Sequence, residues 1–182
     1  LDLVLLTHLH FDHAGGTTMR RDDGRIVPAF PNATYVIHED EFAFAHRNNP
    51  RIRASYLPEN YDPLTEAGLV RFVQSGEQLT RGIELLGTPG HTPHHLSVVL
   101  DGVGEKACYL ADVCPTSAHV PLPWIMGYDL EPLVTLESKQ SLWQRAREED
   151  WLLVFEHDAE VAWGRLDPDT DRLRDESDLE AV

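Results

Sequence analysis

The chain has 182 residues, of which 42% are apolar and 25% are charged, an ordinary composition for a globular domain. Fifteen lysines and arginines stand against 31 aspartates and glutamates, for a formal net charge of −16. Nucleic acids and anionic membrane surfaces are therefore disfavoured as partners, because both are bound through clustered basic side chains. No apolar run reaches the roughly 20 residues that cross a bilayer.

The first part of the chain alternates short apolar segments with polar ones. Residues 1–7 predict a buried strand, and residues 35–37 predict the next. A helix is expected at 39–46, because acidic residues at its start suit the positive end of the helix dipole. The remaining segments predict mostly irregular structure: a His-, Asp- and Gly-rich loop at 8–16 that can lead into a short helix, a surface loop at 20–32 and a lid or substrate loop at 47–66.

The second part contains most of the predicted strands and the longest predicted helix. Strands are predicted at 69–73, 83–86, 96–100, 107–110, 151–155 and 161–165. A helix is predicted at 132–149, with Pro132 near its start and an apolar stripe along one face. Residues 113–130 are rich in proline, which indicates a loop whose aromatic side chains form a pocket wall. The acidic tail from Asp167 is expected to fray. A single domain over residues 1–182 is predicted.

The two cysteines, Cys108 and Cys114, cannot form the disulfide framework of a small secreted domain. We therefore expect reduced thiols and a cytoplasmic protein. The sequence opens inside the apolar segment Leu1 to Leu6, without a methionine or a recognisable signal peptide. These features favour a fragment whose N-terminal part lies upstream.

The strongest chemical signal is the order His-x-His-x-Asp-His, formed by His8, His10, Asp12 and His13. Residues two apart in an extended segment point the same way, so His8 and His10 can bind one ion. Asp12 and His13 lie at the turn beyond and can reach a second ion. Imidazole and carboxylate ligands suit zinc, and also iron, manganese or cobalt. The alternative interpretation is a solvated, histidine-rich loop.

Three further candidates each follow a strand-like segment: His91, Asp112 and His157. Loops at strand ends are where a rigid scaffold presents ligands. Each also has a purely structural interpretation, as a turn histidine, a turn or helix cap, and an exposed strand-end residue respectively. Their occurrence together with the first motif favours metal binding.

These motifs resemble those of the metallo-β-lactamase superfamily of metal-dependent hydrolases. The resemblance runs from His8 to His157 and includes the Thr-Pro-Gly-His-Thr-Pro context around His91. It implies an α/β fold, the αββα sandwich, with the early strands and one early Asp motif missing before Leu1. It also implies two divalent metal ions, with zinc preferred and manganese, cobalt or iron as alternatives. The implied ligands are His8, His10 and His91 for the first ion, Asp12, His13 and His157 for the second, and Asp112 for both.

Within the superfamily, the segment from His8 to Gly16 is most similar to the acyl-homoserine lactonases. The resemblance implies that a hydroxide between the two metals attacks a small ester-like substrate, with a lactone as the favoured class. It also implies that Asp12 shuttles the proton. Those lactonases often carry a Tyr three residues after the bridging Asp, where this chain has Pro115. Tyr128 and His119 are the expected substitutes as catalytic residues.

Other functions stay open, because specificity is expected to reside in residues 20–66 and 113–130. The alternatives are a phosphotriester or thioester hydrolase of the same fold, an iron-dependent dioxygenase, and a non-catalytic remnant. A small-molecule substrate is expected, with no nucleic acid and no membrane as partner. A homodimer is a further expectation, since half of a sandwich would expose sheet edges.

The other polar and aromatic candidates receive structural interpretations. His38 is expected to face solvent, and His46 to end a helix where a cation suits the dipole. His95 is a candidate hydrogen-bond partner of a metal-bound histidine. Trp124 and Met126 are expected to fill a core or a subunit contact rather than to touch substrate.

Overall fold

The computed structural model describes residues 1–47 and 49–174. The chain falls into two compact units, Leu1–Ser75 and Gly76–Val182. Both units combine strands with helices, which confirms the α/β prediction. None of the described helices is long and apolar enough to cross a membrane.

The first unit is built on a parallel three-stranded sheet and a small antiparallel hairpin. Its elements are β1 (Leu3–Leu5), α1 (Phe11–Ala14), β2 (Thr18–Arg20), β3 (Ile26–Pro28), β4 (Thr34–His38), α2 (Glu39–Ala45), α3 (Asp62–Glu66) and β5 (Val70–Val73). The parallel sheet has the order β1-β4-β5. Its central strand, β4, carries the buried run Tyr35 to Ile37, as expected of a strand covered on both faces.

The surface loop predicted at 20–32 is wrong in part, because β2 and β3 pair as a hairpin there. The turn depends on Gly24, whose φ of 84° is a left-handed conformation that suits glycine. Asp23 accepts a hydrogen bond from the main-chain N–H of Arg25 within the same turn. The hairpin was missed because each of its strands has only three residues and none of these residues is fully buried.

The irregular excursion predicted at 47–66 is also wrong in part. Residues 58–60 form a 3-10 turn and residues 62–66 form α3. Pro58 and Pro63 lie in the first turn of these two elements, where a missing N–H costs no helical hydrogen bond. The prolines therefore start short helices instead of preventing them.

The second unit is a six-stranded sheet with one long helix. Its elements are β6 (Gln78–Thr80), β7 (Ile83–Gly87), β8 (Leu96–Asp101), β9 (Lys106–Tyr109), α4 (Pro132–Glu148), β10 (Leu152–Val154) and β11 (Trp163–Arg165). The sheet order is β11-β10-β9-β8-β7-β6. All neighbours are antiparallel except β9 and β10, whose parallel pairing requires the long connection that contains α4.

A hydrophobic core joins α4 to the sheet of the second unit. Leu142 and Trp143 of α4 are buried together with Cys108, Trp151 and Leu153 of the sheet side. Residues 113–130 form a loop, as predicted, with 3-10 turns at Ala111–Val113 and Ser117–His119. This loop connects the end of β9 to the start of α4.

The last described residues are more ordered than the fraying prediction from Asp167 implies. Leu166 and Leu173 form an antiparallel bridge, and Arg174 donates to the Leu166 carbonyl at 2.9 Å. Asp167 accepts hydrogen bonds from the main chain of the turn between them. The rest of the predicted tail, residues 175–182, lies outside the described residues.

Candidate functional site

In the first unit, the histidine motif occupies the extended segment between β1 and α1. His10 has an extended backbone, with φ −61° and ψ 151°, and directly precedes α1. His8 and His10 are 1% and 9% exposed, and one ligand nitrogen of each lies within 4.8 Å of the other. The predicted pairing of residues two apart in an extended segment is therefore seen in the geometry of this unit.

The other two members of the motif lie on α1. The ring centroids of His8 and His13 are 4.0 Å apart, and His13 Nε2 is 3.6 Å from an Asp12 carboxylate oxygen. The short helix thus brings the His13 ring back to His8, whereas Asp12 is exposed and lies next to His13. Imidazole nitrogens and a carboxylate are a donor set that suits a divalent transition metal.

A buried carboxylate that the sequence did not single out supports this segment. Glu41 of α2 accepts hydrogen bonds from the main-chain N–H of Leu9, at 3.2 Å, and from the Tyr56 hydroxyl, at 2.8 Å. The Tyr56 ring in turn lies 4.8 Å from the ring of His10. Glu41 therefore fixes the backbone between the two histidines from the neighbouring helix.

In the second unit, His91 lies between two buried carboxylates. Its Nε2 is 2.9 Å from Asp112 and its Nδ1 is 2.9 Å from Asp129. Burial lowers the pKa of His91, but the hydrogen bonds with Asp112 and Asp129 outweigh it and raise the pKa to about 9. Asp129 also accepts from the Thr135 hydroxyl at 2.6 Å. One nitrogen of His91 is thus oriented by Asp129, and the other faces Asp112.

Asp112 also brings His157 and Glu156 into one group. His157 Nε2 is 3.2 Å from Asp112, and ligand atoms of Asp112, Glu156 and His157 lie within 4.8 Å of one another. The Tyr109 hydroxyl donates to the Glu156 carboxylate. Glu156 was not predicted, and its only sequence signal is its position directly before His157 at a strand end.

The backbone at Asp112 is held by a chain of buried polar groups. The main-chain N–H of Asp112 donates to His95 Nε2 at 3.1 Å, so the proton of this ring must be on Nδ1. His95 Nδ1 then donates to Thr88, whose hydroxyl is 2.9 Å from Ser97. The Ser97 hydroxyl donates to the Leu110 carbonyl at 2.8 Å. The sequence predicted that His95 supports a metal-bound histidine, whereas these contacts show it supporting the backbone of Asp112.

The two predicted catalytic residues lie in the loop between β9 and α4. His119 hydrogen-bonds through Nδ1 with the Thr116 hydroxyl at 2.7 Å. Burial and the nearby charge of Lys139 lower the pKa of His119. Tyr128 is 78% exposed. Their catalytic role, like that of Asp12, stays a prediction.

Three structural interpretations can be compared with the geometry. His38 is buried and accepts a hydrogen bond from the main chain of Asp40, so the solvent-facing prediction is wrong. His46 ends α2 as expected and hydrogen-bonds with Asp62 at 2.8 Å. Trp124 is 61% exposed, so it does not fill the core, and the alternative of a subunit contact stays a prediction.

Comparisons with known proteins agree with these motifs. The family model described as the metallo-beta-lactamase superfamily matches residues 1–157. The chain is 27% identical over 165 residues to an N-acyl homoserine lactonase from a Bacillus species, which covers 88% of this chain and 57% of the relative. The chain therefore spans somewhat more than half the length of this relative.

Solved structures show the same fold. A probable metal-dependent hydrolase from Staphylococcus aureus superposes with a TM-score of 0.84 at 26% identity, covering 96% of this chain and 63% of that one. An N-acyl homoserine lactone hydrolase was solved with N-hexanoyl-L-homoserine at its catalytic metal centre. It superposes with a TM-score of 0.67 at 26% identity, covering 88% of this chain and 57% of that one.

Proposed function

The chain belongs to the metallo-beta-lactamase superfamily, and we propose that it carries the ligand set of a metal-dependent hydrolase that acts on a small ester-like substrate, a lactone first. One observation carries the proposal. The motif residues gather imidazole nitrogens with carboxylate oxygens in each unit. Four of them, His8, His10, His91 and Asp112, are buried. Such donors fit a divalent transition metal.

The proposed ligands are the residues that the family resemblance assigned. His8, His10 and His91 would hold one ion, Asp12, His13 and His157 a second, and Asp112 both. Zinc is the preferred metal for this donor set, with manganese, cobalt and iron as alternatives. Bound there, two divalent ions would supply a water activated at neutral pH and would polarise the scissile carbonyl.

The protein's own residues prepare these ligands. Asp129 accepts the Nδ1 proton of His91, which leaves Nε2 as the ligand atom and fixes the plane of the ring. The chain of His95, Thr88 and Ser97 holds the backbone on both sides of Ala111 and so aims Asp112. Asp12 is the proposed proton acceptor, and His119 and Tyr128 are the proposed donors to the substrate carbonyl.

The names of the relatives support a lactone as the substrate. The Bacillus relative is an N-acyl homoserine lactonase, and one similar structure holds the ring-opened product N-hexanoyl-L-homoserine. The substrate proposed here is therefore an acyl lactone, whose hydrolysis opens the ring and releases one proton. Phosphotriesters and thioesters are the comparison substrates.

The test is an activity assay of the zinc-loaded chain with N-hexanoyl-homoserine lactone. The reaction is monitored through the proton that ring opening releases. We expect ring opening that a chelator abolishes, and a fall of at least about 100-fold in kcat/KM for His91→Ala, because several kcal/mol of transition-state stabilisation depend on the metal. His46→Ala is the matched control and should stay within twofold, because His46 hydrogen-bonds with Asp62 and is in none of the described groups of candidate ligands.

Two outcomes would contradict parts of this proposal. Faster cleavage of a phosphotriester or thioester than of the lactone would contradict the substrate class. Activity that survives both the chelator and His91→Ala would contradict the metal-dependent mechanism.

We also propose a reducing, cytoplasmic location. Cys108 and Cys114 are buried free thiols, and burial raises the pKa of each to about 12. Such thiols are poor nucleophiles and poor candidates for disulfide exchange. A homodimer stays a prediction.

A further inference from the structure

The chain has two lysines, and one of them is fully buried. Lys139 lies on α4 and is 0% exposed. Its ammonium group donates to four main-chain carbonyls, those of His119 at 2.6 Å, Pro121 at 3.0 Å, Leu122 at 3.3 Å and Trp124 at 3.0 Å. An ammonium group has three protons, so four oxygens around it amount to a carbonyl cage for a cation. A buried charge is costly unless it is satisfied in this way.

The carbonyls of this cage belong to the middle of the loop between β9 and α4. The Trp143 indole N–H donates to the Val120 carbonyl at 2.9 Å and ties the same stretch to α4. Residues 119–124 contain two prolines and no glycine. Four of their main-chain carbonyls converge on the Lys139 side chain. Lys139 therefore determines the path of this stretch, which has little regular secondary structure of its own.

Both ends of the loop are attached to the proposed ligand residues. At its start, the loop follows Asp112 directly, and the Pro115 carbonyl accepts from the main-chain N–H of His157 at 3.1 Å. At its end, Asp129 orients His91, and the N–H of Leu130 donates to the His91 carbonyl at 3.2 Å. The cage of Lys139 thus fixes the part of the loop that lies between two anchors on the ligand set.

We propose that Lys139 is a positioning residue, whose ammonium group holds residues 119–124 so that the loop presents His119 and the exposed Trp124 to the substrate. This inference rests on the proposed function and deepens it. An exposed indole on a fixed loop suits the apolar acyl part of an ester, and the imidazole suits its carbonyl. Lys139 itself need not touch the substrate, because it acts through the loop.

The first experiment compares two substitutions in the zinc-loaded chain. Lys139→Met keeps the length of the side chain and removes the cation, and Lys139→Ala removes the atoms of one propylammonium ion. We expect both variants to keep their metal content and to lose about 100-fold in kcat/KM for the lactone, the loss expected for a reacting group displaced by about 1 Å. Added propylammonium should restore at least tenfold in Lys139→Ala and nothing in Lys139→Met.

Lys106→Met is the matched control, because Lys106 is the only other lysine and pairs on the surface with Glu149 at 2.5 Å. It should leave kcat/KM and the amine response unchanged. Unaltered kcat/KM in Lys139→Met, or an equal response to propylammonium in all three variants, would overturn the proposal.

A second measurement does not depend on activity. Hydrogen exchange at the amides of Val120 and Trp124, which bond within the loop to Ser117 and Pro121, should accelerate in Lys139→Met and be slowed again by propylammonium in Lys139→Ala. Amides of β8 and β9 should not change. Acceleration throughout the second unit would show a general structural role and would contradict positioning.

A wild-type chain that binds metal and opens no lactone would contradict the proposed function alone, while the exchange data would still decide whether Lys139 anchors the loop.

Discussion

Ala111 adopts a left-handed backbone conformation, with φ 51°, directly before the proposed ligand Asp112. Such a conformation is unfavourable for a residue with a Cβ and persists only where the surroundings enforce it. Here the enforcement comes from both sides. The Leu110 carbonyl accepts from Ser97, and the Asp112 N–H donates to His95. Strain at Ala111 is therefore offset by a buried polar chain that sets the direction of the Asp112 carboxylate.

This arrangement predicts a distinct effect for Thr88→Val. The substitution keeps the volume of the side chain and removes the hydroxyl that links His95 to Ser97. We expect a loss of about 1–3 kcal/mol in stability, since buried polar groups lose a partner, and a fall of about 10-fold in zinc affinity. Urea unfolding of the metal-free chain and a competition titration with a zinc chelator measure the two effects.

Thr80→Val on the exposed face of β6 is the control and should change neither quantity. If Thr88→Val lowered stability without weakening zinc binding, the polar chain would be structural only, and its role in aiming Asp112 would be wrong.

At the scale of the elements, Arg145 joins α4 to the sheet of the second unit. Its guanidinium forms two hydrogen bonds of 2.7 Å with Glu84 of β7 and one of 2.8 Å with Glu149. It also lies 4.8 Å from the centroid of the Trp151 ring. The bidentate geometry makes the ion pair of Arg145 and Glu84 stronger and more directional than a single-bonded surface pair.

The network predicts a pH-dependent contribution to stability. Hydrogen bonds from Lys106 and Arg145 hold the pKa of Glu149 at about 2, and those from Arg145 lower the pKa of Glu84. Because these pKa values lie below the ordinary value of about 4.5, the contribution is complete above pH 4.5 and is lost as the pH falls toward 2. We expect Arg145→Met to cost about 1 kcal/mol at pH 7, given the partial exposure of the pair, and less at pH 3.

Urea unfolding at the two pH values checks this expectation, with Arg81→Met, an exposed arginine between β6 and β7, as the control. A cost of Arg145→Met that is equal at pH 7 and pH 3 would show that packing against Trp151, rather than the ion pairs, carries the effect.

The elements that could be predicted from the sequence are those whose burial is visible as apolar residues. Strand β4 and strands β7 to β10 fall in apolar runs, and α4 has a helical stripe. Strand β6 was missed because Leu79 is its only buried residue, and the hairpin of β2 and β3 because its order depends on a turn at Gly24. These strands form because they pair with a neighbouring strand, and their own residues show no hydrophobic periodicity from which a strand could be predicted.

The candidate site likewise contains residues that could be identified from the sequence and residues that could not. The motif residues could be predicted because imidazoles and carboxylates at fixed spacing are uncommon. Asp129 and Lys139 could not, because their partners are distant in sequence: Asp129 lies 38 residues after His91, and Lys139 lies 20 residues after His119. Supporting groups of this kind are defined by the fold, since any Asp or Lys at those positions in the sequence looks like a solvated charge.

For the whole molecule, the proposed ligands come from both compact units and from three regions of the chain, residues 8–13, 91–112 and 157. The proposed ligand assignment predicts that loss of a ligand from either unit lowers the metal content of the chain. It also requires that the ions depend on the motif histidines rather than on the surplus of acidic residues, because a chain of net charge −16 can attract cations without a specific site.

The measurement that decides this is the metal content of the folded, gel-filtered chain by plasma mass spectrometry, after exposure to zinc and exhaustive dialysis. The account predicts about two divalent ions per chain, fewer in His91→Ala, and the wild-type number in His46→Ala. A folded wild-type chain that retains no divalent ion, or a His91→Ala variant that retains as many as the wild type, would contradict it.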